Sequence, residues 1–335
     1  GYEVNDLGFQ SSADRYGSHV MASWRKTTPD RFTRSRQVLV SKFWVWNFDR
    51  DLIGDGVYTS AWATFPNYWS GSAVFFATRT VDSDRLTRGG PVMRNPGGYQ
   101  VSGDIETDER KPFVVSVDGN YSVWSSDGWD GSAELSLDFK PAPAISISAG
   151  PSYNRSHGTA QYVRTVADPA ADSTYGARYV FGDLDQTEIA MTIRANVLFS
   201  PRMSLQFYAQ PLLSVGRYFD LKEAAKPRTY DFLVYGRDTG SIAYDPEAGL
   251  YRVDPGDEGR AFTLSNPDFN FKSLRVNAVF RWEFKPGSTF YLVWTQMRED
   301  YARPGRFAFN QDLSSLLRAP GDNVLMAKIS FWVGR

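Results

Sequence analysis

His19 and His157 are the only imidazoles in 335 residues, and cysteine is absent. This inventory excludes thiolate nucleophiles, disulfides and thiolate metal sites. A histidine beside a serine is the simplest start for hydrolytic or acyl-transfer chemistry. His157 lies in YNRSHGTAQY, but serine is so abundant that a Ser near a His is expected by chance. The clusters DRDLIGDG (49–56) and SSDGWDG (125–131) offer oxygen ligands of the kind Ca²⁺ takes. Neither completes a loop motif, and Asp-Gly is ordinary turn chemistry. No Walker loop, dinucleotide fingerprint or HExxH stretch occurs. The expectation is no enzyme, no cofactor and no metal.

The remaining charged residues obey a rule of position. In FKSLRVNAVFRWEF (271–284) one parity is Leu274, Val276, Ala278, Phe280, Trp282 and Phe284, and the other carries Arg275, Asn277, Arg281 and Glu283. A period of two is a strand with two different faces. EIAMTIRANVLF sets Ile189, Met191, Ile193 and Val197 against Glu188, Arg194 and Asn196, and AELSLDFK sets Leu135, Leu137 and Phe139 against Glu134 and Asp138. Collected from all such stretches, the polar parity holds an acidic set, Asp104, Glu106, Asp118, Glu134 and Asp138. It also holds a basic set, Arg25, Arg194, Arg275, Arg281 and Lys328. The two sets fall on different strands, so a rolled sheet would carry acid and base on separate arcs of its wall, interrupted by Glu188 and Glu283. Such an arrangement focuses a field across a lumen and orients polar solutes. If instead the charges pair across the interior, they merely fill it.

The elements that must position these residues come next. No run of about 18 apolar residues exists, so no transmembrane helix is expected. Turn-forming stretches, TTPD (27–30), SGS (70–72), RKP (110–112), KPAP (140–143), SPRM (200–203) and KPGS (285–288), alternate with long polar connections. The long ones include 85–98, 165–177, 222–268 and 302–322. Between them the pattern predicts strands near 2–10, 18–27, 34–48, 56–69, 72–82, 98–108, 113–125, 131–140, 145–160, 180–199, 204–219, 271–285, 289–299 and 322–333. An extra hairpin is expected within 229–253. Short turns at one end, long loops at the other and outward apolar faces are the signature of an outer-membrane barrel. The expected fold is all-β: one transmembrane, antiparallel, up-and-down β-barrel over 1–335. It would have about 14 strands (range about 12–16), short periplasmic turns and long extracellular loops. Trp24, Trp282, Phe284, Phe139, Phe199 and Trp332 lie near short turns or the C-terminus, where an aromatic girdle meets the interface. A barrel of that strand number is roughly 28 Å across, so side chains alone would not fill it. The last segment, VLMAKISFWVGR, would close against the first.

Several stretches also resemble a known family. YEVNDLGFQ at the start, ATFPNYWS (63–70), LTRGGPVM (86–93) and FNQDLSSLLRAPGDN (309–323) are similar to a poorly characterised Gram-negative family. Its members look like a family-9-type carbohydrate-binding domain followed by an outer-membrane barrel. The resemblance spans essentially the whole chain and implies the barrel half, with any link to carbohydrate residing in the other domain. It carries no catalytic residues. The chain begins without Met, as a mature chain or part of a longer one would.

Together these readings point to an outer-membrane channel or passive uptake conduit for small polar solutes, with oligosaccharides suggested by the resemblance alone. The alternative is a structural or anchoring barrel within a larger cell-envelope complex, and a surface enzyme stands third. Expected partners are outer-membrane lipid, lipopolysaccharide through the three Arg of 85–98, and a periplasmic carbohydrate-binding-like domain or envelope partner. A net charge of −1 recruits no nucleic acid.

Overall fold

A computed structural model describes residues 14–256 and 259–333. In chain order its elements begin with β1 (Tyr16–Lys26), β2 (Ser35–Trp46), β3 (Leu52–Thr64), β4 (Ser70–Thr78), β5 (Val81–Ser83), β6 (Met93–Asn95) and β7 (Gly98–Glu106). There follow β8 (Phe113–Trp124), β9 (Trp129–Ala142), β10 (Ile145–Ala167), β11 (Ala177–Ser200) and β12 (Met203–Ala224). The last are β13 (Phe232–Val234), β14 (Ser241–Asp245), β15 (Leu250–Asp254), β16 (Phe262–Ser265), β17 (Phe269–Lys285), β18 (Ser288–Asp300), the helix α1 (Phe309–Arg318) and β19 (Gly321–Ser330).

One 14-stranded antiparallel sheet organises the molecule, in the order β1-β2-β3-β4-β7-β8-β9-β10-β11-β12-β17-β18-β19, with the short β13 added to β12. Each expected strand from 18–27 onward corresponds to one of these. The expected strand at 2–10 lies outside the described residues, and so does closure against it. Among the described residues β1 and β19 are the two ends of the ladder.

Cross-strand partners share a face, so the registers assign each face independently of composition. Trp24 pairs with Val38, Phe75 with Val101, Val101 with Tyr121, and Leu205 with Phe280. The apolar parities of successive strands therefore merge into one apolar face. Its side chains are uncovered: Val20 is 69% exposed, Tyr99 61% and Val101 55%. The whole chain exposes 20437 Å², where a compact globule of this length would expose about 14,000 Å². The sheet is not wrapped around an internal apolar core.

All six short turns lie at one end, between β1 and β2, β3 and β4, β7 and β8, β9 and β10, β11 and β12, and β17 and β18. Their chemistry is local. Asp30 accepts the backbone N–H groups of Phe32 and Thr33 at 2.9 Å each. Asn67 accepts from Trp69 N at 3.1 Å while Tyr68 takes a φ of 66°. The expected turn at Ser70–Ser72 is instead the first residues of β4; the reversal occupies 65–69, where Pro66 and Asn67 supply the turn.

At the other end, β10, β11 and β12 run to 23, 24 and 22 residues, about twice what a bilayer requires. This extension carries its own small cores. Val180 and Phe181 are neighbours on β11 and so point to opposite faces. Val180 packs with Leu221, Tyr235, Val253 and Leu264, under the three-stranded sheet β14-β15-β16. Phe181 packs with Met93 and Ala224, flanked by Leu86 and Phe232. The hairpin expected within 229–253 is thus the β14-β15 pair, extended by β16. A buried ion cluster lies there too: Arg178 donates to Asp168 at 2.7 Å and to Glu223 at 2.8 Å, and Tyr235 donates to Glu223 at 2.8 Å.

Candidate functional site

The polar face contains a line of carboxylates that register alone creates. Asp104 on β7 lies opposite Asp118 on β8, and Asp118 lies opposite Glu134 on β9. Ser72 on β4 continues the line on one side and donates its hydroxyl to Asp104; Ser152 on β10 continues it on the other. A cavity of about 370 Å³ sits on this stretch, and Asn120 and Asn154 also line it. Like charges directly opposite each other destabilise a sheet. Among the described residues no basic side chain pairs with any of the three. The strands accept this only where water or a mobile counter-ion can reach the carboxylates. The row behind is amide and hydroxyl: Ser102 faces Asn120, Asn120 faces Ser132, and Ser132 faces Asn154. Gln100 donates to Asn120 at 2.7 Å, and Asn120 donates to Asp130 at 2.9 Å. The wall there is acidic and rich in hydrogen-bonding groups over four strands.

The other expected residues disperse around this row. Glu106 lies opposite Ser70 and Ser116, in a separate hollow of about 250 Å³ shared with Trp62, Tyr68 and Arg110. Asp138 faces Ser148, whose next partner across the ladder is Arg194. One acid and one base therefore share a row, two strands apart, which narrows the separation of arcs expected from sequence. Arg194 lies over the Tyr208 ring at 5.5 Å, in a hollow of about 230 Å³ with Asn196, Gln206 and Asn277. Arg275 is exposed between Gln210 and Met297. Arg281 faces Tyr291, which faces Lys328, and Arg281 is 3.3 Å from Glu283. Arg25 lies opposite Gln37 and is four strands from Asp104 along one row through Trp62 and Ser72. The structure thus gathers Asp104, Asp118 and Glu134, links Arg281 to Lys328 through one tyrosine, and leaves the rest apart.

Among the described residues neither histidine ring is hydrogen-bonded to a serine or threonine hydroxyl. His19 is exposed opposite Phe43. His157 Nδ1 lies 2.8 Å from Asp185, its ring stacks on Phe219 at 5.9 Å, and it shares the apolar face's parity with Tyr153. Asp51 and Asp55 are engaged by Arg228 and by Lys42 and Arg79. Asp127 holds a turn at φ 66°. No group of three or more His, Asp or Glu among the described residues is placed to hold a metal.

One contact set was not visible in the sequence. Arg228, just beyond β12, lies 2.8 Å from Asp51 in the β2–β3 turn and 3.4 Å from Asp82 on β5. Its N–H donates to the Val92 carbonyl at 2.7 Å, and Arg94 N donates to the Thr229 carbonyl at 2.9 Å. These loops belong to strands five or more places apart in the ladder, so they bridge it at the long-loop end. Arg88, of the loop expected to meet lipopolysaccharide, lies over the Tyr162 ring at 4.5 Å, while Arg94 is 3.4 Å from Asp82. Sequence parity offers no handle on such residues, because they sit in connections.

Fold and faces define a large antiparallel β-sheet protein, apolar on one face and polar with an acidic row on the other. The chain matches, over residues 1–334, the family described as a domain of unknown function, DUF5916, and belongs to it. No curated protein matches it.

Proposed function

We propose that this chain is a closed outer-membrane β-barrel of about 14 strands that conducts small polar solutes. One observation carries the reading: an uncovered apolar face backs a polar face whose unpaired acidic row needs water. Lipid against the first and a solvated lumen against the second satisfy both.

Strand direction supports closure. Thirteen consecutive antiparallel strands leave β1 and β19 running the same way, so a direct pairing between them would be parallel. One further strand of opposite direction completes an antiparallel ring without free edges. The strand expected from sequence at 2–10, outside the described residues, would be that strand, and Asp14 accepts from Phe48 N at 2.8 Å at the long-loop end. Cation preference would follow from Asp104, Asp118 and Glu134. Oligosaccharide cargo, lipopolysaccharide contact and a carbohydrate-binding partner domain rest on the family resemblance and the loop arginines.

The bridge at Arg228 favours a second reading, an anchoring barrel whose mouth is spanned and which passes nothing. Reconstitution in planar bilayers separates the two. Stepwise cation-selective currents support the conduit; silent membranes containing correctly inserted protein support the anchor. Dissolution without detergent as a compact particle would defeat both.

A further inference from the structure

The helix α1 occupies a position that the polar face does not explain. Its apolar residues, Phe309, Leu313, Leu316 and Leu317, follow helical spacing along one stripe. Of these Leu316 is fully buried, while Phe309 remains 45% and Leu317 54% exposed.

The fastening of α1 fixes the side of the sheet on which it lies. Asn270 donates to Asp312 at 3.1 Å, and Lys272 lies 2.7 Å from Asp300 and 3.9 Å from Asp312. Ser315 donates to Asp300 at 2.5 Å, and Arg298 donates to the carbonyls of Leu317 and Ala319. On β17, Asn270 and Lys272 share the parity of Leu274 and Val276; on β18, Arg298 and Asp300 share that of Leu292 and Trp294. All four anchors therefore belong to the apolar face, at the row where it turns polar. The helix is clamped outside the sheet, at the edge of the apolar surface, with part of its own apolar stripe uncovered. Phe307 and Tyr301 beside it are exposed as well. Arg306 and Arg318 stand in no ion pair among the described residues. The opposite side of the helix, with Asn310, Gln311, Ser314 and Arg318, lines an open polar hollow of about 670 Å³, so Arg318 belongs to the polar side of the helix.

We propose that α1 is an interfacial helix, resting on a lipid surface whose phosphate groups meet Arg306 at its start and Arg318 on its polar side. Phe309 and Leu317 enter the boundary between headgroups and acyl chains. Continuity selects lipid as the occupant: the stripe extends a face that lipid already covers in the proposed barrel, and the flanking cations complement anionic headgroups. The inference rests on that membrane reading.

The absence of cysteine makes a clean test. Leu317→Cys, Asn310→Cys and Val101→Cys, each in the full chain, carry a nitroxide label in vesicles of anionic phospholipid. Collision with oxygen and with a water-soluble nickel complex then reports depth. The expected order places Val101 deep in the hydrocarbon, Leu317 about 5–10 Å below the phosphates, and Asn310 in water. If Leu317 is as water-accessible as Asn310 while Val101 is deep, the helix inference fails and the membrane reading stands. If all three labels meet water, the membrane reading fails and takes the helix with it. If Leu317 is shielded from both probes and its spin couples to a second copy, the occupant is protein and the inference is overturned.

Discussion

At the scale of single residues, the decisive group is the line Asp104–Asp118–Glu134. A carboxylate facing two others across adjacent strands has no stabilising partner in the wall, so its cost must be offset by hydration or by passing cations. Asp118, at the centre, is the sensitive position. In the conduit reading, Asp118→Lys is expected to move the reversal potential in a salt gradient toward anions, and Asp118→Asn to weaken cation preference without abolishing current. Unchanged selectivity in both variants would remove the row from the permeation path. Arg178 shows the opposite situation, a buried cation held between two buried carboxylates. Removing it takes the bidentate cation from the buried Asp168 and Glu223, and Arg178→Ala is expected to cost about 3–5 kcal/mol. Hydrogen exchange at β11 and β12 residues near Val180 and Glu223 would read that loss as local opening, leaving the lower strands protected.

At the scale of elements, the long-loop end behaves as a small folded layer rather than a set of loose connections. Two apolar clusters, the three-stranded sheet and the Arg228 bridge hold it. The Arg228 guanidinium beside Asp51, by hydrogen bond and charge, holds that carboxyl below its ordinary value. A depressed carboxylate stabilises the folded form above its unfolded pKa, near 3.9, and loses that contribution as pH falls through the folded value. The bridge should therefore be indifferent to pH between about 5 and 8 and loosen only in more acidic solution. Arg228→Ala is expected to expose the Arg94 and Arg228 amides to faster exchange at neutral pH. In the conduit reading it also raises conductance; equal exchange in wild type and variant would show that the loops hold together without it. The Asp108 turn follows the same logic: Arg110 lowers its carboxyl to about 2, so that turn keeps its ion pair through ordinary acid conditions.

At the scale of the whole molecule, the excess of exposed surface is the governing fact. Apolar area left in water costs about 25 cal/mol per Å², which a water-soluble fold avoids by folding a second layer over it. Among the described residues no second layer covers the apolar face of the strands from β1 to β9, so detergent or lipid is expected to be required for monodispersity. Deleting residues 2–10 tests closure at the same scale. In the proposed barrel it should leave two unpaired edges and give aggregates by size exclusion even in detergent, whereas an unchanged elution profile would show that these residues do not supply a closing strand.

The sequence by itself determined the existence and order of the long strands of the main sheet from β1 onward and which side of each is apolar. It also placed the short turns together at one end. These depend on alternation and local turn chemistry, both of which act between residues close in the chain. The meeting of Asp104, Asp118 and Glu134 could be suspected from parity, but their direct opposition depends on register, which turn geometry sets to the residue. Asp138 and Arg194 ended in a common row for the same reason. The extension of β10 to β12 beyond their expected spans, the clamp on α1 and the bridge at Arg228 were decided by tertiary structure alone. Their partners lie from ten to 177 residues away, in connections where no periodicity marks a face, and only the folded sheet brings them within reach.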